Sequence, residues 1–190
     1  MPNRPDREVQ CEGLLQALPP ETEPVCDSRG DVKNKIFVCI RGTHHDGHAD
    51  AAEVLRRGAA AIVTQRKTGL PREITVPDTR LAMALLSARY WGNPAGELRL
   101  IGITGTNGKT TTAHLLCHLL HSAGIKTGRI GTDGIYRGGR RLPNPYTTPP
   151  PDLLHRTLRQ MAGDGITAVV MEVSSQALVC LLYTSDAADE

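Results

Sequence analysis

The stretch Leu100-Ile101-Gly102-Ile103-Thr104-Gly105-Thr106-Asn107-Gly108-Lys109-Thr110-Thr111 constrains this chain more than any other. Leu100 to Thr104 reads as a buried strand. From Thr110 to Ala123 the apolar residues Ala113, Leu116, Leu119, Leu120 and Ala123 recur at helical spacing, and Gly124 closes the helix. Gly105 and Gly108 therefore stand on a strand-to-helix turn. There, glycines let backbone N–H groups approach phosphate oxygens, the helix N-terminus adds partial positive charge, and a lysine neutralises the β- and γ-phosphates. Lys109 fills the last role, and Thr110 is placed for Mg²⁺. The strict G-x-x-x-x-G-K-[ST] pattern fails, because its first glycine falls at Ile103. A turn with a surface lysine and no ligand is the plain alternative, and the flanking strand and helix argue against it.

The same alternation occurs earlier in the chain. Ile36 to Ile40 reads as a strand and Ala49 to Arg57 as a helix with Ala51, Ala52, Val54 and Leu55 on its apolar face; Gly58 to Thr64 reads as the next strand. A further helix starts near Asp78, its N-cap, and runs through Leu81, Leu85 and Leu86 to Tyr90, where Gly92-Asn93-Pro94 marks a domain boundary. Beyond the phosphate turn, Lys126 to Thr132 and Ile166 to Val173 are expected strands and Asp152 to Ala162 a helix. Gly134 to Pro151 carries too many breakers to be regular throughout. The expected class is α/β: a small amino-terminal α/β domain over residues 1–95, then a phosphate-loop α/β domain over 96–179.

Composition narrows the partners. Charged residues make up 22% and the formal net charge is +2, so the chain has no global basic footprint for nucleic acid. No apolar run approaches the roughly 18 to 20 residues of a membrane span. The five cysteines, Cys11, Cys26, Cys39, Cys117 and Cys180, are odd in number and scattered, with no C-x-x-C pair and no signal peptide. That pattern is expected of reduced thiols in a cytoplasmic protein.

The string Gly105-Thr106-Asn107-Gly108-Lys109-Thr110-Thr111 resembles the ATP-binding motif of the Mur ligases and their folylpolyglutamate synthase relatives. Met171-Glu172-Val173-Ser174-Ser175 resembles the family segment that supplies a Mg²⁺ ligand and a substrate-binding serine, and Glu172 follows an apolar strand where ligands gather at open α/β sheets. Asp27-Ser28-Arg29, then Ile36-Phe37-Val38 and Gly42-Thr43-His44-His45-Asp46-Gly47-His48, resemble the uridine-nucleotide-binding domain of the MurE and MurF ligases. Tyr146-Thr147-Thr148-Pro149 and the Thr-Asn of the loop favour the MurE type.

The resemblance implies ATP and Mg²⁺ as cofactors. Residues 105–111 would hold ATP, with Lys109 and Glu172 as catalytic residues and Thr110 and Glu172 as metal ligands. It implies that Ser28, Thr43, His44 and His45 contact the uridine diphosphate end of UDP-MurNAc-L-Ala-D-Glu, while Thr147, Thr148 and Ser174 hold its muramoyl-peptide portion. The second substrate would be diaminopimelate or lysine, and the expected state is a monomer. Two positions depart from the family: Tyr146 stands where some members have asparagine, and Gln176 where histidine is frequent. A MurF-like or folylpolyglutamate-synthase-like ligase, a phosphate-loop kinase and a non-catalytic nucleotide-binding module remain the alternatives.

His44, His45 and His48 with Asp46 suggest a metal cluster, but a polar loop around an Asp-Gly turn is the stronger reading. His114, His118 and His121 read as a solvated helix face, and Arg137, Arg140 and Arg141 as a solvated loop. Residues 180–190 are similar to the translation of a sequencing-library adapter and are expected to be foreign, so the phosphate-loop domain is expected to be incomplete and the chain by itself inactive.

Overall fold

The computed structural model describes residues 4–42 and 45–174. It divides into two compact units, Met1–Tyr90 and Trp91–Glu190. The division falls just before the Gly92-Asn93-Pro94 turn rather than after it. Arg159 explains why: its guanidinium donates to the carbonyls of Trp91 (2.8 Å) and Gly92 (2.7 Å) and to the Glu97 carboxylate (2.7 and 2.9 Å), tying the turn to the second unit.

The first unit runs α1 (Arg4–Leu15), β1 (Pro24–Val25), β2 (Ile36–Val38), a 3-10 turn (Gly47–Asp50), α2 (Ala51–Arg56), β3 (Ala61–Thr64), β4 (Glu73–Thr75) and α3 (Thr79–Tyr90). Its four strands lie in the order β1-β2-β3-β4, all parallel, with Phe37 opposite Ile62. β2 and β3 are buried at every residue, as central parallel strands covered on both faces must be. Phe37, Cys39 and Ile62 pack with Val54, Leu55 and Ala51 of α2 on one face. Burial there pushes the Cys39 thiol up to about 12. Asp78 caps α3 as the sequence predicts: its Oδ1 accepts from the backbone N–H groups of Arg80 (2.9 Å) and Leu81 (3.1 Å), a contact worth about 1 kcal/mol. α1, β1 and β4 have no counterpart in the sequence reading, because the two strands are two and three residues long and alternate weakly.

The second unit runs β5 (Arg99–Ile103), α4 (Lys109–Ser122), β6 (Thr127–Gly131), β7 (Gly134–Arg137), β8 (Arg140–Leu142), α5 (Pro151–Gly163) and β9 (Ala168–Glu172). The sheet order is β5-β9-β6-β7-β8: β9 lies between β5 and β6, parallel to both, and the β7–β8 hairpin extends the sheet antiparallel. α5 buries Leu154, Leu158 and Met161, an i, i+4, i+7 stripe, against Ile130, Val169 and Met171. Gly134 to Pro151 is, as expected, not regular throughout: β7 and β8 occupy only its first part. Gly138 and Gly139 both take positive φ (54° and 75°), the backbone a two-residue hairpin turn with strand-matching twist requires. The Gly-Gly pair was the available signal for it. Residues 180–190 lie outside the described residues. No helix among the described residues is long and apolar enough to cross a membrane.

Candidate functional site

β5 runs directly into the glycine turn. Gly105 has φ 145° and Gly108 has φ 80°, conformations that side-chain-bearing residues rarely adopt. Gly108 is the N-cap of α4 and offers no side-chain acceptor, so the first-turn N–H groups of the helix face outward uncapped. The loop from Thr104 to Gly108 is exposed. The Lys109 ammonium folds back across it, donating to the carbonyls of Gly105 (2.7 Å) and Thr106 (3.4 Å). The lysine is thus held over the turn where an anion would meet the helix N-terminus.

Glu172 stands beside this loop by register. Ile103, the last residue of β5, pairs with Glu172, and Val173 N–H donates to the Ile103 carbonyl at 2.8 Å. On the other flank Ile130 pairs with Met171, which sets Gly131 against the glutamate. The carboxyl group is fully buried. Its Oε2 accepts from the Thr132 hydroxyl at 3.1 Å, and its Oε1 has no hydrogen-bond partner. A Cβ on Gly131 would lie 2.2 Å from Oε1, so any side chain there would force the carboxylate to shift.

A buried carboxylate oxygen without a donor is costly unless a cation completes it. Among the described residues no three His, Cys, Asp or Glu side chains converge as a metal cage. One carboxylate beside a phosphate-type loop is the sparse donor set that suits Mg²⁺, which keeps several waters and takes oxygens from phosphates. The residues present therefore fit that ion.

The Asn144–Thr148 strap closes over the same point. Asn144, nearly buried, donates through Nδ2 to the Gly131 carbonyl (3.0 Å) and to the Tyr146 carbonyl, while its Oδ1 accepts from Tyr146 N–H. Thr148 donates to the Glu172 carbonyl (3.0 Å) and accepts from Ser174 N–H (3.0 Å), binding the strap on both sides of Val173. Thr147 lies 3.2 Å from Thr132 through its hydroxyl. Thr147, Thr148, Ser174 and Glu172 are thus brought together, whereas Gly131, Thr132 and Asn144, which connect them, were missed. Their types are common in turns and carry no periodic signal.

In the first unit, Thr43 and His44 lie outside the described residues. Ser28 and His45 both meet Asp50: the Ser28 hydroxyl bonds to its carboxylate and His45 Nε2 lies 2.7 Å from Oδ2. The Ser28 bond is the main cause that lowers the Asp50 pKa. Asp27 and Arg29 form a fork with bonds of 2.9 Å, and the guanidinium holds the exposed Asp27 carboxyl down at about 2. Arg57 ties the turn down through the Ser28 and Gly30 carbonyls. His48 is not arranged as a ligand. Its Nε2 accepts from Gln65 N–H at 3.0 Å, which leaves Nδ1 as the donor to Asp46 at 2.6 Å.

Two groups given to solvent by the sequence have partners. His114, exposed like His118 and His121, bonds through Nε2 to Asp133 (3.0 Å). Arg137 meets Gln160 (2.6 Å) and Asp164 (3.1 Å), and Arg141 donates to the Asp133 carbonyl (2.8 Å). Arg140 is exposed.

Residues 103–187 match the Mur ligase middle domain. Over that stretch the chain is similar to the Mur ligases. The match starts on the last residue of β5 and runs into the segment that the sequence reading takes as foreign. The chain is 45% identical over 153 residues to the UDP-N-acetylmuramoyl-L-alanyl-D-glutamate–2,6-diaminopimelate ligase of Geobacillus thermodenitrificans, a match covering 80% of this chain and 31% of that protein. The ligase of the same name from Chlorobaculum tepidum is 41% identical over 162 residues, 83% of this chain and 32% of its own length. A solved structure of a ligase with that name superposes with a TM-score of 0.69 at 30% identity, over 83% of this chain and 32% of that one. Thermotoga maritima MurF, solved in complex with ADP, gives 0.53 at 26% identity over 82% and 33%. The chain spans about a third of the length of these Mur ligases.

Proposed function

We propose that this chain is part of an ATP-dependent, amide-forming ligase of the MurE type, which joins diaminopimelate to UDP-MurNAc-L-Ala-D-Glu. The observation that carries this reading is the buried Glu172 carboxylate, its Oε1 unpartnered, in register with the strand that enters the Gly105–Thr111 loop. The names of the diaminopimelate ligases it resembles favour diaminopimelate over lysine.

A carboxylate is a poor electrophile until one oxygen is made a leaving group. In the proposed reaction the D-glutamate carboxylate of the substrate attacks the γ-phosphorus of ATP, ADP leaves, and an acyl phosphate forms. The amine then attacks the acyl carbon, phosphate leaves with its oxygen, and the amine gives up a proton. The Gly105–Thr111 turn and the α4 N-terminus would cradle the phosphates, and Lys109 would offset charge on the transferring group. Thr110 and Glu172 would hold Mg²⁺, which supplies electrostatic stabilisation of the triphosphate when bound. Thr147, Thr148 and Ser174 would position the peptide end of the substrate. In the first unit Ser28 and His45, with Thr43 and His44, would take the uridine diphosphate end. Asp50, bonded to both Ser28 and His45, would fix their orientation.

Calorimetry of the 190-residue chain tests the reading. ATP with Mg²⁺ and UDP-MurNAc-L-Ala-D-Glu should both bind, and Lys109→Ala should weaken ATP about 10- to 100-fold, the worth of one charge-assisted hydrogen bond. ATP binding without any affinity for the uridine nucleotide would mark a nucleotide-binding module instead.

A further inference from the structure

Thr132 occupies a position that its chemistry makes directional. It leaves the end of β6 beside Gly131, and its single hydroxyl lies 3.1 Å from Glu172 Oε2 and 3.2 Å from the Thr147 hydroxyl. A threonine hydroxyl has one proton to donate, and an ionised carboxylate can only accept. Thr132 is the donor on both contacts, so its one proton is shared between the Glu172 carboxylate and the Thr147 hydroxyl. Thr147 accepts on this contact and keeps its own proton for anything bound beside it.

The two ends of this relay are fixed independently. Thr148, the next residue, is bonded to the Glu172 carbonyl and to Ser174 N–H, and Asn144 anchors the other side of the strap to Gly131. Thr147 thus lies between two anchors. At the far end, holding Oε2 on Thr132 leaves Oε1 as the oxygen without a partner.

We propose that Thr132 is a positioning residue that couples the strap to the metal-binding carboxylate: it presents Glu172 Oε1 to a divalent cation and leaves the Thr147 hydroxyl to donate to a carbonyl or carboxylate oxygen of the substrate's peptide portion. The inference rests on the ligase reading, in which Glu172 is a metal ligand. It follows that the cation site and the peptide site are linked through one hydroxyl.

The test is Mn²⁺ binding to the 190-residue chain, read from the electron paramagnetic resonance of the free ion, with the melting temperature of each variant measured alongside. Thr132→Ser, which keeps the hydroxyl, should bind Mn²⁺ like the unsubstituted chain, and Thr132→Val should bind it about tenfold more weakly at a similar melting temperature. Thr132→Ala is read in parallel, so that a folding defect in the valine variant does not decide the result. Thr147→Val removes the acceptor that competes for the Thr132 proton and should not weaken Mn²⁺, and Thr132→Val with Thr147→Val should be no weaker than Thr132→Val alone, because both act through one hydroxyl. Unchanged affinity in well-folded Thr132→Val or Thr132→Ala, weaker binding in well-folded Thr147→Val, or a double variant weaker than Thr132→Val overturns the relay and leaves the metal reading standing. Absence of Mn²⁺ binding by the unsubstituted chain overturns both.

Discussion

His155 shows how one residue sets a pH dependence. It is one of the buried residues of α5, 3% exposed, with no hydrogen-bond partner for Nδ1. Burial lowers its pKa from 6.5 to about 4. Between these values the unfolded chain binds a proton that the folded chain does not. Its stabilising effect is therefore complete above pH 6.5 and is lost as the pH falls toward 4, by about 3 kcal/mol in all. Urea unfolding at pH 7 and pH 5 should show the chain losing about 2 kcal/mol, and His155→Leu losing clearly less over the same interval. An equal loss in both would show that the histidine does not titrate this way. Residues of this kind escape a sequence reading: a lone histidine at a helical core position looks the same whether it is buried or solvated.

At the scale of elements, the β7–β8 hairpin is joined to the sheet through a buried charge. Arg129 on β6 is 3% exposed, its guanidinium lies 4.1 Å from the Tyr136 ring centroid, and it forms two 2.7 Å bonds to Asp133. Asp133 also accepts from Tyr136 and bonds to His114, and the guanidinium is the main cause that holds its carboxyl well below the usual carboxylate range. Asp133→Ala would leave Arg129 charged and unpaired. The expected cost is about 2–3 kcal/mol in urea unfolding, below that of a fully buried pair because Asp133 keeps some solvent contact. Adding Arg129→Met should recover part of that loss. The strands and helices around this pair were legible as period and punctuation. The pair itself was not, since Arg and Asp four apart on a strand-and-turn segment have no fixed relation until the turn is built.

Across the whole molecule, burial separates apolar residues that the sequence treats alike. Leu115 and Leu119 of α4 repeat at helical spacing as Leu154 and Leu158 of α5 do, yet the first two are 58% and 57% exposed and the second two 2% and 1%. Leu158→Ala should therefore cost about 2–5 kcal/mol by thermal unfolding. Leu115→Lys combined with Leu119→Lys should shift stability by about 0.5 kcal/mol or less. A large loss from the lysine pair would show that this flank is packed.

The sequence by itself determined the α/β grammar of both units, the strand–turn–helix around Lys109, the cap at Asp78 and the place of Glu172 at a strand end. These depend on residues near one another along the chain, where period and turn chemistry act directly. Only the tertiary structure decided that β9 enters between β5 and β6, and so that Thr132, Thr147 and Glu172 meet. Such contacts depend on strand order and register, which arise from packing whole faces together rather than from any local preference of the residues that touch.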